Sequence, residues 1–262
     1  MLQLKKSIRL ACLGLAFKKS LVAAAQMGAG GVEIDARSEL RPSELTRTAI
    51  RHLRKMLSDL NLRVAAIHLP LERGFADPQG LERRIDEVRS AMEMAFALGT
   101  NVVTGQIGRV PEDEAEPGWP ILLEAMTDLG RAAHRTGAWF AAHTGSDVTD
   151  RLVALLEALP EGSIGVDFDP AATMMLGDSP NDAIDRLGRQ VMHFRVRDAV
   201  RDLSQGRTLE VQLGRGSVDL PHLLAKLEEH EYRGYLTVQR AVRSDAAIQC
   251  AQALEYLENL FG

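Results

Sequence analysis

The sequence is poor in cysteine and in net positive charge, and each shortage excludes a class of protein. Its 262 residues contain two cysteines, Cys12 and Cys250, near opposite ends of the chain. Two separated cysteines cannot provide the disulfide framework of a small secreted domain, so we expect a reducing, cytoplasmic compartment. The formal net charge of -5 disfavours nucleic acid or a membrane surface as a partner, because both require a basic face on the protein.

Long hydrophobic runs are also missing. No stretch approaches the roughly 18 apolar residues of a membrane span. Residues 10–17 are apolar and follow basic residues, which is the order of a signal peptide, and cleavage near residues 23–25 is the alternative interpretation. Because Lys18 and Lys19 interrupt the run after eight residues, we interpret residues 9–15 as a first buried strand.

Strand patterns alternate with amphipathic helices along the whole chain, without a linker or a repeat of constant period. The predicted strands are residues 9–15, 32–36, 63–69, 101–106, 138–143, 163–169, 191–197 and 234–239. The predicted helices are residues 18–27, 42–60, 78–98, 119–136, 147–159, 171–187 with a break at 177–180, 219–232 with Asp219 as N-cap, and 244–260 with Ser244 as N-cap. The glycine-rich fingerprint of dinucleotide-binding folds is absent after the first strand. Eight units of this kind predict a single-domain α/β protein, a closed (β/α)8 TIM barrel over residues 1–262, with a polar excursion between Asp198 and Gly216.

The seventh strand has two unlike faces. Met192, Phe194 and Val196 alternate with His193, Arg195 and Arg197, so the apolar set should face the helices and the cationic set the barrel lumen. In the sixth strand Asp167 and Asp169 share one face in the same way. Because buried charges need partners, we expect a direct or nearly direct ion pair between Arg195 and Asp169 inside the barrel.

Polar residues collect at the carboxyl ends of the strands, where the chemistry of such barrels takes place. In chain order they are Glu33, Asp35, His68, Gln106, His143, Asp167, Asp169, Arg195, Arg197, Gln239 and Arg240. Taken singly, each has a structural explanation. His68 and His143 could be core residues whose ring nitrogens are hydrogen-bonded within the protein, and Arg240 could be a solvated residue at the rim of the barrel. Together they predict a pocket for a small polyol or carboxylate.

Several segments resemble the sugar phosphate isomerase/epimerase group of xylose-isomerase-like barrels. They are G-V-E-I-D, A-A-H-T-G, G-V-D-F-D-P, H-F-R-V-R-D-A, V-Q-L-G-R-G-S-V-D-L and G-Y-L-T-V-Q-R. The resemblance covers essentially the whole chain and implies the same barrel fold. It also implies a divalent-metal site formed by Glu, Asp, His and Glu on strands five to eight.

This chain has Ala141, Asp169, Arg195 and Gln239 at those four positions, so one ligand of four remains. A substrate-contacting His of the family is Ala172 here. Arginine is always protonated and has no lone pair to ligate a metal. The resemblance therefore implies that Arg195 supplies a fixed positive charge near the place of the metal, and we expect neither a bound metal nor another cofactor.

Two hypotheses remain open. In the first, the protein is a metal-independent enzyme acting on a small sugar, sugar acid or sugar phosphate, with Glu33, His68, His143 and Asp169 as catalytic residues. Its ligand-binding residues would be Gln106, Asp167, His193, Arg195, Arg197, Gln239 and Arg240. In the second, a non-catalytic barrel binds a small anionic polyol. A DNA-repair nuclease of the same fold is disfavoured by the acidic balance and the missing ligands. A homo-oligomer is possible under either hypothesis.

Overall fold

Eight parallel strands close into a barrel, and helices cover its outside. The computed structural model describes residues 5–202, 207–240 and 245–261. The strands are β1 (Lys6–Arg9), β2 (Gly31–Asp35), β3 (Arg63–His68), β4 (Val102–Gly105), β5 (Trp139–His143), β6 (Gly165–Phe168), β7 (Val191–Val196), β8 (Asp198–Asp202), β9 (Arg207–Val211) and β10 (Leu236–Val238). Around the barrel the strands follow the order β1, β10, β7, β6, β5, β4, β3 and β2. The predicted TIM barrel is confirmed.

The main helices alternate with the strands. They are α1 (Phe17–Gln26), α2 (Arg47–Asp59), α3 (Leu81–Leu98), α4 (Gly118–Thr136), α5 (Thr149–Ala158), α6 (Pro170–Met175), α7 (Pro180–Leu187), α8 (Leu220–Glu229) and α9 (Ala246–Phe261). The predicted break at residues 177–180 lies where α6 ends and α7 begins. The Asp219 side chain caps α8 by accepting from the His222 N–H. The predicted cap at Ser244 lies outside the described residues. In the described part of the chain, no helix is long and apolar enough to cross a membrane.

The first strand ends earlier than the sequence predicts. β1 stops at Arg9, and Leu10–Leu13 form a 3-10 helix that ends at Gly14, whose φ of 63° is in the left-handed region. Leu10, Cys12 and Leu13 are buried, so this apolar run is core without being strand. As a result Arg9 lies at the carboxyl end of its strand, where functional side chains are found in this fold.

A bulge in β7 changes which way one side chain points. The register with β6 shifts between Val166 and Asp167, so that β7 has one extra residue, Met192. The simple alternation predicts that Met192 shares the face of Phe194, and this is wrong. Met192 instead packs against Ala66, Val102 and Ala141 on the lumen floor. The absence of a side chain at Gly165 makes room for it, because a Cβ there would clash with Met192.

The segment after β7, predicted only as a polar excursion, forms an antiparallel hairpin of β8 and β9. Asp198 anchors it, because its carboxylate accepts the backbone N–H groups of Ala199, Gly214, Gly216 and Val218 at 2.7–3.1 Å. The hairpin leaves the barrel at the carboxyl end of β7 and therefore stands beside the predicted site.

Candidate active site

A cavity of about 330 Å³ opens at the carboxyl ends of the strands. Its walls are formed by Arg9, His68, Leu69, Pro70, Leu71, Gln106, His143, Arg195, Arg197 and Gln239. Six of these residues are among those predicted from the strand ends. The remaining predicted residues lie beneath the cavity or beside it, and their contacts give each a different role.

Arg195 is the buried centre of the site, with 1% of its surface exposed. Its Nη1 and Nη2 donate to the two carboxylate oxygens of Glu33 at 2.9 and 2.8 Å, and its Nε donates to Asp167 Oδ2 at 2.8 Å. It also donates to Gln239 Oε1 and, at 3.2 Å, to Thr104 Oγ1. Burial alone would raise the pKa values of Glu33 and Asp167, but the charge of Arg195 and the other cationic and hydrogen-bonding groups around them together lower both, so all three groups are ionised.

The predicted ion pair between Arg195 and Asp169 is wrong. Asp169 instead accepts from Arg197 Nη1 at 2.6 Å and from His143 Nε2 at 3.3 Å, while its other oxygen caps α6 by accepting the Ala172 N–H. Burial favours a raised pKa for Asp169, but the charge of Arg197 and these hydrogen bonds lower it below its usual range. Arg195 and Arg197 therefore belong to two separate ion-pair clusters.

Asp167 and His193 lie under the cavity, and both are buried. His193 Nδ1 is 2.7 Å from Asp167 Oδ1, its Nε2 is 2.7 Å from Thr237 Oγ1, and Thr237 in turn contacts Ser7 Oγ at 2.6 Å. Both ring nitrogens and the aspartate therefore have partners within the protein. The two residues, predicted as ligand contacts, form a supporting layer below Arg195.

His68 presents a free ring nitrogen at the cavity. Thr104 donates its hydroxyl proton to Glu33 Oε1 at 3.0 Å, so its oxygen accepts from His68 Nδ1 at 3.1 Å, and the proton of the neutral imidazole is on Nδ1. Within the described residues, Nε2 has no hydrogen-bond partner. Burial, followed by the charge of Arg9, lowers the pKa of His68 to about 3, which keeps the ring neutral near pH 7.

His143 has the opposite arrangement. The Gly145 N–H donates to Nδ1 at 3.0 Å, and Nε2 lies 3.3 Å from Asp169 Oδ2, so the neutral ring carries its proton on Nε2. Both nitrogens are therefore occupied. The two histidines predicted as catalytic both line the cavity, but of the two only His68 has a lone pair available to a ligand.

The hairpin contributes Glu210 to the edge of the site. Its Oε2 accepts from Arg197 Nη2 at 2.8 Å, and its Oε1 lies 2.9 Å from Arg240 Nη1. Arg240 also donates to Gln249 Oε1 at 2.8 Å and to the Val211 carbonyl, so it ties the hairpin to α9 and does not line the cavity. It was predicted as a ligand contact because the sequence does not show where this hairpin lies.

Arg9 is a cavity residue that the prediction from the strand ends does not include, because the predicted first strand begins at residue 9. Its contacts to protein are long, at 3.6 Å to Asp35 Oδ2 and 3.4 Å to Gln239 Oε1. Asp35 is held from the other side by the N–H groups of Arg37 and Ser38. Arg9 is thus the most loosely paired cation of the cavity. A predicted first strand that ends at Arg9, and does not begin there, would have identified Arg9 as a residue of the site.

The residues at the implied metal positions do not fit a divalent ion. Ala141 offers no donor atom, Arg195 brings a positive charge, and both oxygens of Asp169 are already hydrogen-bonded. Gln239 Oε1 accepts from Arg195 and Arg9. In the ranges that the structure describes, no three His, Cys, Asp or Glu side chains are grouped so as to hold a metal.

A model of the family described as xylose isomerase-like TIM barrel matches residues 21–260. The chain belongs to this family. Within it, a xylose isomerase domain protein from Planctomyces limnophilus has 24% identity and a TM-score of 0.81, with 92% of this chain and 91% of that chain covered. A D-allulose 3-epimerase from Methylomonas sp., solved with D-allulose, has 18% identity and a TM-score of 0.76, with 99% and 98% covered.

A third solved member, a xylose isomerase-like TIM barrel protein from Mycobacterium smegmatis in complex with magnesium, has 16% identity and a TM-score of 0.75, with 93% of this chain and 87% of that chain covered. Comparison with curated proteins gave no match. These likenesses to solved structures establish the shared barrel, while the chemistry of this xylose isomerase-like protein depends on its own residues.

Proposed function

We propose that the protein binds a small anionic sugar derivative, a sugar acid or a sugar phosphate, at the barrel mouth and isomerises or epimerises it without a divalent metal. One observation carries the proposal: a neutral imidazole with a free Nε2, His68, shares a cavity with the loosely paired guanidinium of Arg9. Proton abstraction beside a carbonyl needs a base and a charge that stabilises the resulting oxyanion, and these two side chains supply them.

In this mechanism His68 Nε2 removes the proton from the carbon next to the substrate carbonyl, and the electrons of that C–H bond form an enediolate. The hydroxyl proton on that carbon moves to the former carbonyl oxygen, and the imidazolium returns the abstracted proton to the former carbonyl carbon, so that the carbonyl group is shifted by one carbon. Glu33 Oε1, 3.6 Å from His68 Nδ1, stabilises the charged ring during the step. The occupied nitrogens of His143 leave one free base at the cavity, which favours transfer of a proton along one face and therefore isomerisation over epimerisation.

The charge of the substrate assists this base. After burial, the charge of Arg9 is the main cause that lowers the pKa of His68. An anionic group bound to Arg9 offsets that charge and raises the pKa of His68 toward the range in which a base is effective. The preference for an anion and the catalytic step are thus linked through one arginine.

The other predicted residues have supporting roles in this proposal. Gln106 and the Gln239 amide nitrogen are available to substrate hydroxyl groups, and Arg197 provides a second cation at the wall. Glu33 and Asp169 have no exposed surface, so we assign them to positioning: Glu33 holds Arg195 and Thr104, and Asp169 holds Arg197 and His143.

A non-catalytic barrel that binds the same ligand is the second candidate. The observation that favours it is that every charged group beneath the cavity is paired within the protein. Of the two histidines that line the cavity, His68 alone has a ring nitrogen without a partner among the described residues. Binding without proton exchange would distinguish this candidate from the enzyme.

The test is proton exchange in D2O, followed by NMR, over a panel of sugar phosphates, sugar acids and neutral sugars. We expect deuterium to enter an anionic substrate at the carbon next to the carbonyl, and we expect His68→Gln to abolish exchange while ligand binding is retained. Binding with no exchange in the wild-type protein would support the second candidate.

Anion preference is tested by thermal shift with Arg9→Gln. The matched control is Arg109→Gln, which removes the same charge from an exposed ion pair with Glu112. We expect Arg9→Gln alone to lose stabilisation by anionic ligands. Equal stabilisation by neutral sugars, or equal behaviour of the two variants, would contradict the proposal in both of its forms.

A further inference from the structure

The barrel has a second cavity at its opposite end, where the strands begin. Its volume is about 650 Å³, against about 330 Å³ at the mouth. Its walls come from the start of β3 and β7, the loop before β4 and residues 230–235 before β10. We call it the basal cavity. It shares no residue with the mouth cavity, so it cannot be an extension of the candidate active site.

Most of the charged side chains that line this cavity are cationic. Lys5, Arg63, Arg189 and Arg233 line it, whereas Glu231 is the one acidic residue on its wall within the described part of the chain. All four cations are exposed to solvent. In a protein with 36 acidic and 31 basic residues, four cations against one carboxylate is a local reversal of the overall charge.

Among the residues that the structure describes, these cations have no acidic partner. Lys5 Nζ donates to the Arg233 carbonyl at 3.0 Å, and Arg233 Nη1 donates to the Tyr232 carbonyl at 3.3 Å, so their contacts are to neutral acceptors. Across residues 5–202, 207–240 and 245–261, neither Arg63 nor Arg189 lies in an ion pair with a carboxylate. The guanidinium groups are therefore free to bind a ligand.

Cations just outside the basal cavity behave differently. Lys6, the neighbour of Lys5, pairs with Glu258, and Lys226 pairs with Asp185 and Glu229 at 3.1 and 3.2 Å. Lys6 and Lys226 thus have acidic partners, whereas in the described ranges no carboxylate pairs with the four cations of the basal cavity.

We propose that the basal cavity binds a small polyanion, a ligand with two or more phosphoryl or carboxylate groups. Arginine forks bind such groups through paired N–H donors, and one ligand with several negative charges relieves the mutual repulsion of four cations. The cavity lies at the end of the barrel away from the proposed chemistry, so this is a separate binding site, and its occupation does not depend on the proposed function.

The experiment is calorimetric titration with pyrophosphate and with citrate at low salt, the two arms separating phosphoryl from carboxylate ligands. We expect binding of at least one, weakened at least about tenfold in the double variant Arg63→Gln/Arg189→Gln, since each loses charge-assisted hydrogen bonds. The matched control is Arg47→Gln/Arg51→Gln, which removes two exposed charges from α2 outside the cavity and should leave the affinity unchanged.

Three results would overturn the proposal: no binding of either anion, equal weakening in the control variant, or affinity that survives the double variant and is lost in Arg9→Gln. The last would place the anion at the mouth. Because the substituted side chains are exposed, unfolding curves of both double variants without anion should match the wild type, which separates loss of a site from loss of the fold.

Discussion

The guanidinium of Arg195 contacts side chains on β2, β4 and β6 and the residue that follows β10. The alternation in the sequence correctly predicts that Arg195 and Asp167 face the lumen. It gives the wrong partner for Arg195, because Asp167 and His193 are register partners and Asp169 would then be level with Arg195. The long arginine side chains reach back along the barrel, so that Arg195 pairs with Asp167 and Arg197 with Asp169. The register of the strands alone does not show this direction.

The corrected pairing predicts which variants couple. Arg195→Ala leaves Glu33 and Asp167 buried without their cation, so we expect a loss of about 3–5 kcal/mol in the free energy of unfolding. In double-mutant cycles from denaturant melts, Arg197→Met with Asp169→Asn should show a coupling energy of about 0.5–3 kcal/mol. Arg195→Met with Asp169→Asn should be close to additive. Coupling confined to the second pair would restore the original prediction.

The neutral state of His68 predicts an acid-sensitive fold. With a folded pKa of about 3 against an ordinary 6.5, the folded protein binds fewer protons than the unfolded chain between these values, so stability is lost as pH falls below about 6.5. The slope from this residue approaches about 1.4 kcal/mol per pH unit. We expect the difference in unfolding free energy between wild type and His68→Gln to change by that amount between pH 6 and pH 5.

Comparison with the variant is necessary because Glu39 acts in the opposite direction. Burial raises the pKa of Glu39 from 4.5 to about 7, so its protonation favours the folded state as pH falls through that interval. Glu39 is present in both proteins, and its contribution cancels in the difference. Parallel pH curves for the two proteins would show that His68 is not held neutral by the fold.

At the scale of elements, the β8–β9 hairpin is the largest departure from the sequence prediction. Its strands carry both charged and apolar residues without a sustained alternation, and the hairpin is fixed by Asp198 and Glu210 contacts that become visible only in three dimensions. The position of Arg9 is missed for the same reason. β1 passes directly into a 3-10 helix whose residues are apolar, so the sequence does not show where the strand ends.

Glu210 should hold the hairpin against the barrel, because it joins Arg197 and Arg240 in a partly buried position. Glu210→Gln should cost about 1–3 kcal/mol, since it leaves two arginines with a missing partner. Glu112 is a suitable control: it also pairs with two arginines, at 2.7 and 2.6 Å, but is 57% exposed. Glu112→Gln should cost about 0–1 kcal/mol in the same melts. Equal losses would mean that Glu210 is only a surface residue.

At the scale of the whole molecule, the architecture could be predicted from the sequence. Each strand–helix unit has its own hydrophobic periodicity and its own turn and capping residues at the ends. The order of eight such units then leaves few alternatives to a closed barrel. For the site, the sequence could predict only which polar residues lie at the strand ends. Which side chains line the mouth depends on where strands end to within a residue, and which nitrogens are free depends on hydrogen bonds between distant strands.

The same network makes a prediction about metal content. Because the four implied ligand positions do not fit a divalent ion, protein purified in manganese-containing buffer should carry no stoichiometric metal by elemental analysis. Activity or ligand binding, whichever is found, should be unchanged after treatment with a chelator. One metal ion per chain, located at the strand ends, would contradict this prediction and with it the proposed role of Arg195.

The position of Arg195 also bears on how the barrel unfolds. Glu33 on β2 and Thr104 on β4 lie in the amino-terminal half of the barrel. Asp167 on β6, Arg195 on β7 and Gln239 after β10 lie in the carboxyl-terminal half, so the central charges are balanced only when both halves are assembled. A detached amino-terminal half would keep a desolvated carboxylate without its cation. We therefore expect the two halves to open together, with the amides of β2 and β7 exchanging their hydrogens at a common rate, and we do not expect either half to persist as an independent folding unit.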